Sequence, residues 1–267
     1  MTKEPIREPA LETQTKPELM TAPEPVIEPV IEPVIEPVIE PVIEPVIEPV
    51  IEIDRERDAL LVIDLQLDFM PGGALAVAQG DEVVAPIAAL LPWFHTIVAT
   101  QDWHPAGHIS FAAPDKGAPF STMPLYGGEQ TLWPPHCVQG SAGAQLHAGL
   151  PTDRLTLLLR KGTAAHIDSY SAFRENIGPG GERRTTGLGA LLAARGVTRV
   201  VVCGLARDFC VRWTALDAAA EGFAVVVLDD LCRAVFPDQA AATSAALAAA
   251  GVRHVEARSL RPARSPA

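Results

Sequence analysis

The chain has 267 residues and a net charge of −12, unevenly spread: residues 1–57 hold 14 acidic and 5 basic side chains, which leaves the other 210 residues at −3. A near-neutral body with no basic patch or arginine stripe excludes nucleic acid as the expected partner, and no apolar run approaches the ~20 residues that a membrane span needs. Four cysteines at irregular spacings (Cys137, Cys203, Cys210, Cys232) do not make a disulfide framework, so a reduced, cytoplasmic protein is expected.

The N-terminal stretch is acidic and proline-rich and lacks the apolar segment of a secretory signal. From Pro25 to Glu52 the unit Pro-Val-Ile-Glu repeats seven times without interruption. A proline every fourth residue fixes φ and removes a backbone donor, so neither a helix nor a central strand can run through it. Regular glutamates add self-repulsion, and the expectation for residues 1–57 is an extended, polyproline-like, disordered tail. No partner is assigned to the tail.

Residues 58–267 read as one domain. Ala59–Asp64 is a short continuous apolar run ending in an acid, as expected of a buried parallel strand. Further runs follow at Thr96–Thr100, Leu155–Leu159, Arg199–Cys203, Ala224–Leu228 and Val252–Val255. Alanine- or leucine-rich helical segments lie between them, at about Asp81–Leu91, Gly187–Arg195, Cys210–Glu221 and Gln239–Ala250. The alternation predicts an α/β fold with three layers, α/β/α, around a mainly parallel, Rossmann-like sheet. Long connections, Gln101–Pro151 and Gly162–Thr186, leave the second and third strands. Loops of that length in a compact domain usually carry function.

Ligands of open α/β sheets bind beyond the carboxyl ends of the strands. At those ends stand Asp64, Asp102 with His104, Lys161, and the turn from Ala206 to Cys210. Cys210 falls where a strand passes through a glycine-bearing turn into a helix, and the N–H groups of a helix start favour a thiolate and can hold an oxyanion. Taken singly, each residue also fits a plainer role: Cys210 as packing, Asp64 as a cap, Lys161 as a surface charge. As a unit they make a nucleophile with an acid to take its proton and an ammonium to stabilise the charge. A second cluster is Asp102-Trp-His104-Pro-Ala-Gly-His108 with His136 further on. An Asp and a His two apart on an extended segment point to one side, and a third ligand from the loop would hold zinc, manganese or iron; a solvated histidine-rich loop is the alternative. Phe69, Trp103 and Trp133 serve equally as loop packing or as walls for a flat heteroaromatic ring.

From about Asp58 to Ala257 the chain resembles the cysteine amidohydrolases of the isochorismatase-like superfamily, in particular the nicotinamidase/pyrazinamidase branch. The stretches that carry the resemblance are Val62–Val77, Thr100–Phe111, Leu132–Val138, Arg160–Gly162 with Asp168–Phe173, and Gly204–Val211. It implies a small-molecule amide substrate cleaved through a cysteine thioester, with Asp64, Lys161 and Cys210 as the catalytic residues. It further implies one divalent metal ion, zinc first, on Asp102, His104 and His136, with His108 a ligand in some members. The N–H groups of Ala206 and Cys210 would form the oxyanion hole, next to a cis Leu205–Ala206 bond, and Phe69 and Trp133 would hold the ring. Leu67 and Arg207 stand where asparagine and threonine are common. The repeat tail has no counterpart in the resemblance. A related amidase for carbamoyl or ureido substrates, and a binding protein with a dead site, are the rival readings. Whether copies of the chain form a homo-oligomer is open.

Overall fold

The computed structural model of the chain describes residues 50–263. Along it the strands are β1 (Ile51–Ile53), β2 (Asp58–Ile63), β3 (Thr96–Asp102), β4 (Thr122–Leu125), β5 (Gly128–Thr131), β6 (Leu157–Lys161), β7 (Arg199–Leu205), β8 (Ala224–Arg233), β9 (Arg253–Val255) and β10 (Leu260–Pro262). The helices are α1 (Val84–Leu90), α2 (Leu188–Ala194), α3 (Arg212–Ala220) and α4 (Ala240–Ala249).

Six strands form the central sheet in the order β6-β3-β2-β7-β8-β9, and every neighbouring pair is parallel. This is the doubly wound order, in which the chain runs out to one edge, returns to the middle and fills the other side. Continuous apolar runs make these strands because both faces are covered. On β2, Leu60 and Val62 pack into one core, while Ala59, Leu61 and Ile63 pack into the other. The alternation repeats on β7, where Val201 and Cys203 face the first core and Val200 and Val202 the second. Helix α1 closes the first face with Val84, Ile87 and Leu90. Helices α2, α3 and α4 close the opposite face through Leu188, Leu192, Ala215, Ala218 and Leu247. The three layers expected from the sequence are present.

The boundary expected at residue 57 is too late. Residues 51–53 form β1, which pairs in parallel with β10 in the register Ile51↔Leu260 and Ile53↔Pro262. Ile51 and Ile53 are buried while Glu52 between them is exposed. The reason lies in the last repeat. It continues as Ile-Glu-Ile53, whereas each earlier unit continues as Ile-Glu-Pro. Residue 53 therefore keeps its N–H and supplies a second apolar side chain on the buried face. Arg199 ties this segment to the main sheet, donating to the Glu52 carbonyl at 2.6 Å and pairing with the buried Asp58 carboxylate. The remainder of the expected tail, residues 1–49, lies outside the described residues.

Two more differences matter for the site. The long Gln101–Pro151 connection is not wholly irregular, because β4 and β5 form an antiparallel hairpin within it. Cys210 does not sit in the first turn of an α-helix; a π-helical turn, Arg207–Val211, precedes α3 and carries it. Among the described residues no helix is long and apolar enough to cross a membrane, and all four cysteines are free and buried.

Candidate active site

Three strand ends deliver the first cluster. Asp64 follows β2 directly, in a left-handed backbone conformation with φ of 48°. Lys161 is the last residue of β6, and Cys210 lies in the turn after β7. The Lys161 ammonium is 2.8 Å from Asp64 Oδ2 and 3.3 Å from Cys210 Sγ. It also donates to the Ser169 carbonyl at 3.1 Å and to Asp102 Oδ1 at 2.5 Å. Asp64 and Lys161 are 0% and 3% exposed and Cys210 is 6% exposed, so water does little to screen these charges.

The electrostatics follow from that burial. Burial opposes the Lys161 ammonium, but Asp102 and Asp64 outweigh it and hold its pKa well above the ordinary lysine value. Burial raises the Asp64 carboxyl, with Lys161 pulling the other way. Burial also pushes the Cys210 thiol well up; Lys161 lowers it, while Asp64 and Asp102 add to the rise. The resting thiolate expected from a helix start is thus not favoured.

Beside this cluster, Asp102 ends β3, and His104 and His136 converge on its second oxygen. Oδ2 lies 3.5 Å from His104 Nε2 and 3.9 Å from His136 Nε2. Each ring's other nitrogen is anchored on a carbonyl: His104 Nδ1 to Gly162 at 2.9 Å and His136 Nδ1 to Pro134 at 2.8 Å. Both Nε2 atoms are therefore aimed at one point, the arrangement by which proteins orient imidazole ligands. One carboxylate and two imidazoles at this spacing fit a divalent ion with about 2.1 Å bonds after a contraction of a few tenths of an ångström. In the ion-free protein, burial opposes a charged His104 but Asp102 outweighs it and raises its pKa. Burial, then His104, lowers His136 to about 4. For Asp102, burial works against the charged form, yet Lys161 and His104 hold its carboxyl far below the usual range. His108 lies against His104, with ring centroids 4.1 Å apart, but its Nδ1 is engaged by Ser110 Oγ at 2.7 Å and its Nε2 by the Ile167 carbonyl at 3.1 Å.

Between the clusters lies a small pocket lined by Phe69, Leu75, Asp102, His104, Trp133, His136, Asp168, Tyr170, Ala206, Phe209, Cys210 and Val235. The two expected ring-holding residues, Phe69 and Trp133, are both on its wall, and Trp103 is not among these residues. The Leu205–Ala206 peptide is cis. Arg207 turns to Asp229 Oδ1 at 2.8 Å and Ser244 Oγ at 3.0 Å, which takes this departure from the family pattern off the pocket wall. Sequence reasoning missed three participants. Tyr170 accepts from Trp133 Nε1 at 3.3 Å and fixes that ring. Phe209 meets Trp133 edge-on, with centroids 4.7 Å apart. Gln66 clamps Asp102 from both sides, accepting its N–H at 2.7 Å and donating to its carbonyl at 2.8 Å. Gln66, Tyr170 and Phe209 all lie in the motif stretches without an assigned role.

Comparisons with known proteins bear on the family and the fold. Residues 58–259 match the family described as the isochorismatase domain. The nicotinamidase of Acinetobacter baylyi is 49% identical over 179 residues, covering 66% of this chain and 81% of that protein. A solved structure of PnC1 from L. infantum in complex with nicotinate is 44% identical with a TM-score of 0.69, covering 79% of this chain and 98% of that one. The pyrazinamidase of Pyrococcus horikoshii in complex with zinc is 35% identical with a TM-score of 0.61, covering 75% of this chain and 99% of that one. With that match over most of its length, this chain belongs to the isochorismatase family.

Proposed function

We propose that this chain is a nicotinamidase, a hydrolase that converts nicotinamide to nicotinate and ammonia, as a step in NAD salvage, with Cys210 as nucleophile. The observation that carries the reading is the meeting of Asp64, Lys161 and Cys210 on one buried ammonium, at 2.8 and 3.3 Å, on the wall of an aromatic pocket. The likeness to a nicotinamidase at 49% identity supports the substrate.

Asp64 takes the thiol proton as Sγ attacks the carboxamide carbon, and the carbonyl oxygen becomes an oxyanion. The N–H groups of Ala206 and Cys210 receive it, each worth about 3–4 kcal/mol in a dry site. Collapse breaks the C–N bond, and Asp64 passes its proton to the departing amine, which leaves as ammonia. The product at this stage is a thioester on Cys210. Water then attacks the thioester carbon, Asp64 accepts the water's proton and returns it to sulfur, and nicotinate is released. Lys161 keeps its proton throughout and balances the charge that moves between Asp64 and Cys210. Phe69 and Trp133 hold the flat ring so that its carboxamide meets the sulfur.

Asp102, His104 and His136 would hold a divalent ion, and zinc is the assignment favoured by the zinc-bound pyrazinamidase neighbour. Bound there, the ion would supply a Lewis-acidic anchor for the ring nitrogen. The residues of the chain do the rest: Gln66 and Lys161 hold Asp102 in place, and Gly162 and Pro134 carbonyls set the imidazoles. The repeat tail takes no part in this chemistry.

The test is ammonia release from nicotinamide, pyrazinamide and a set of carbamoyl and ureido compounds, by the wild-type protein and by Cys210→Ala. Turnover of the pyridine amide by wild type and none by Cys210→Ala is expected. Preference for a ureido substrate, or hydrolysis by the variant, would overturn the reading.

A further inference from the structure

A carboxylate has two oxygens, and the proton transfer proposed for Asp64 uses one of them. The geometry points to Thr100 as the residue that fixes the orientation of that carboxylate. This inference rests on Asp64 being the base. Thr100 lies on β3 beside β2 and is wholly buried. Its Oγ1 accepts the Asp64 backbone N–H at 3.1 Å and lies 2.6 Å from Asp64 Oδ1.

A hydroxyl carries one proton. The N–H already occupies an acceptor site on Oγ1, and an ionised carboxylate has no proton to give, so the hydroxyl proton points at Oδ1. Oδ1 thus accepts a short, charge-assisted hydrogen bond, which lowers its affinity for a second proton. Oδ2 differs: it is buried and faces the Lys161 ammonium at 2.8 Å. Thr100 on one oxygen and Lys161 on the other therefore fix how the Asp64 carboxylate is turned beside Cys210. The same hydroxyl supports the Asp64 backbone, whose φ of 48° is a conformation that residues with a Cβ rarely adopt. Thr100 acts through Asp64 and is not among the residues that line the pocket. It is a positioning residue.

Thr100→Val keeps the shape of the side chain and removes the hydroxyl, whereas Thr100→Ser keeps the hydroxyl and removes the methyl. With nicotinamide as substrate, Thr100→Val should lower kcat by ~10–100-fold, the scale of one hydrogen bond to a charged group, at unchanged KM. Thr100→Ser should restore most of it. In the Asp64→Asn background, Thr100→Val should cause no further loss, because the two act as one unit. Should Thr100→Val fail to fold, Thr100→Ala against Thr100→Ser makes the same comparison with the methyl absent from both. Wild-type kcat in a folded hydroxyl-free variant, equal losses in Val and Ser, or a loss residing in KM would overturn the assignment. Asp64→Asn measured alongside separates the two readings. If it stays active, the base itself is wrong; if it is dead while Thr100→Val is fully active, only the role of Thr100 falls.

Discussion

Replacing Lys161 by methionine tests the electrostatic core of the site more severely than removing the sulfur does. The ammonium has four partners: Asp102 Oδ1 at 2.5 Å, Asp64 Oδ2 at 2.8 Å, the Ser169 carbonyl at 3.1 Å and Cys210 Sγ at 3.3 Å. Methionine fills a similar volume and leaves two buried carboxylates without their cation. Breaking a buried pair in this way costs about 3–5 kcal/mol, against a total stability of about 5–15 kcal/mol. The pH dependence identifies the cause. In the wild-type protein Lys161 is a principal reason that Asp102 is held below the ordinary range, so that contribution is present above about pH 4 and fades as pH falls through the folded value. Without Lys161, burial dominates both carboxyls and raises them; the variant then binds more protons folded than unfolded and gains ground as pH falls. Urea unfolding of both proteins in chelator, at ~pH 8 and ~pH 5, should show a large gap that narrows in acid. Equal stability at pH 8, or a gap that does not change with pH, would refute the reasoning.

Other perturbations act on separate parts of the account. Ion binding must displace the proton that Asp102 stabilises on His104, so affinity should rise with pH until that proton is lost, and calorimetry in buffers of different ionisation enthalpy should record proton release; pH-independent affinity between ~6 and ~8 would contradict the ligand set. Gly204→Ala would place a Cβ 2.2 Å from the Ile63 carbonyl at a φ of +114°, and should cost at least about 2 kcal/mol in urea unfolding, with loss of turnover through the Cys210 turn. Removing residues 1–48 should leave kcat and Tm unchanged, whereas Ile53→Pro, which makes the last repeat like the others, should cost about 2–5 kcal/mol by emptying a buried position. Wild-type stability of Ile53→Pro would show that β1 is not part of the domain.

What could be read from the sequence, and what could not, follows from where the information resides. The inner strands of the main sheet were legible because a parallel strand covered on both faces reads as a near-continuous apolar run, as Asp58–Ile63 does apart from its first residue. The residues proposed as catalytic, Asp64, Lys161 and Cys210, stood out because they fall at the ends of such runs or in the turn that follows. Strand β1 was hidden because it is a fragment of a proline repeat, distinguished by Ile53 alone. Strands β4 and β5 are four residues each, half of them polar and β4 interrupted by Pro124, so no periodicity announces them. The roles of Thr100, Gln66 and Tyr170 exist only as tertiary contacts, 36 residues from their partners in the first two cases and 37 in the third. The pull of burial on the Cys210 thiol, which raises it against the favourable end of one short turn, depends on the whole cluster and not on local helix geometry.

The account stands on a covalent bond between Cys210 and the acyl group of the substrate. Mixing the protein with nicotinamide, quenching in acid within the first turnover and mapping the adduct by peptide mass spectrometry tests this directly. A nicotinoyl thioester on the peptide holding Cys210, absent from Cys210→Ser, is the expected result; an adduct on another residue, or full turnover with sulfur removed, would contradict it.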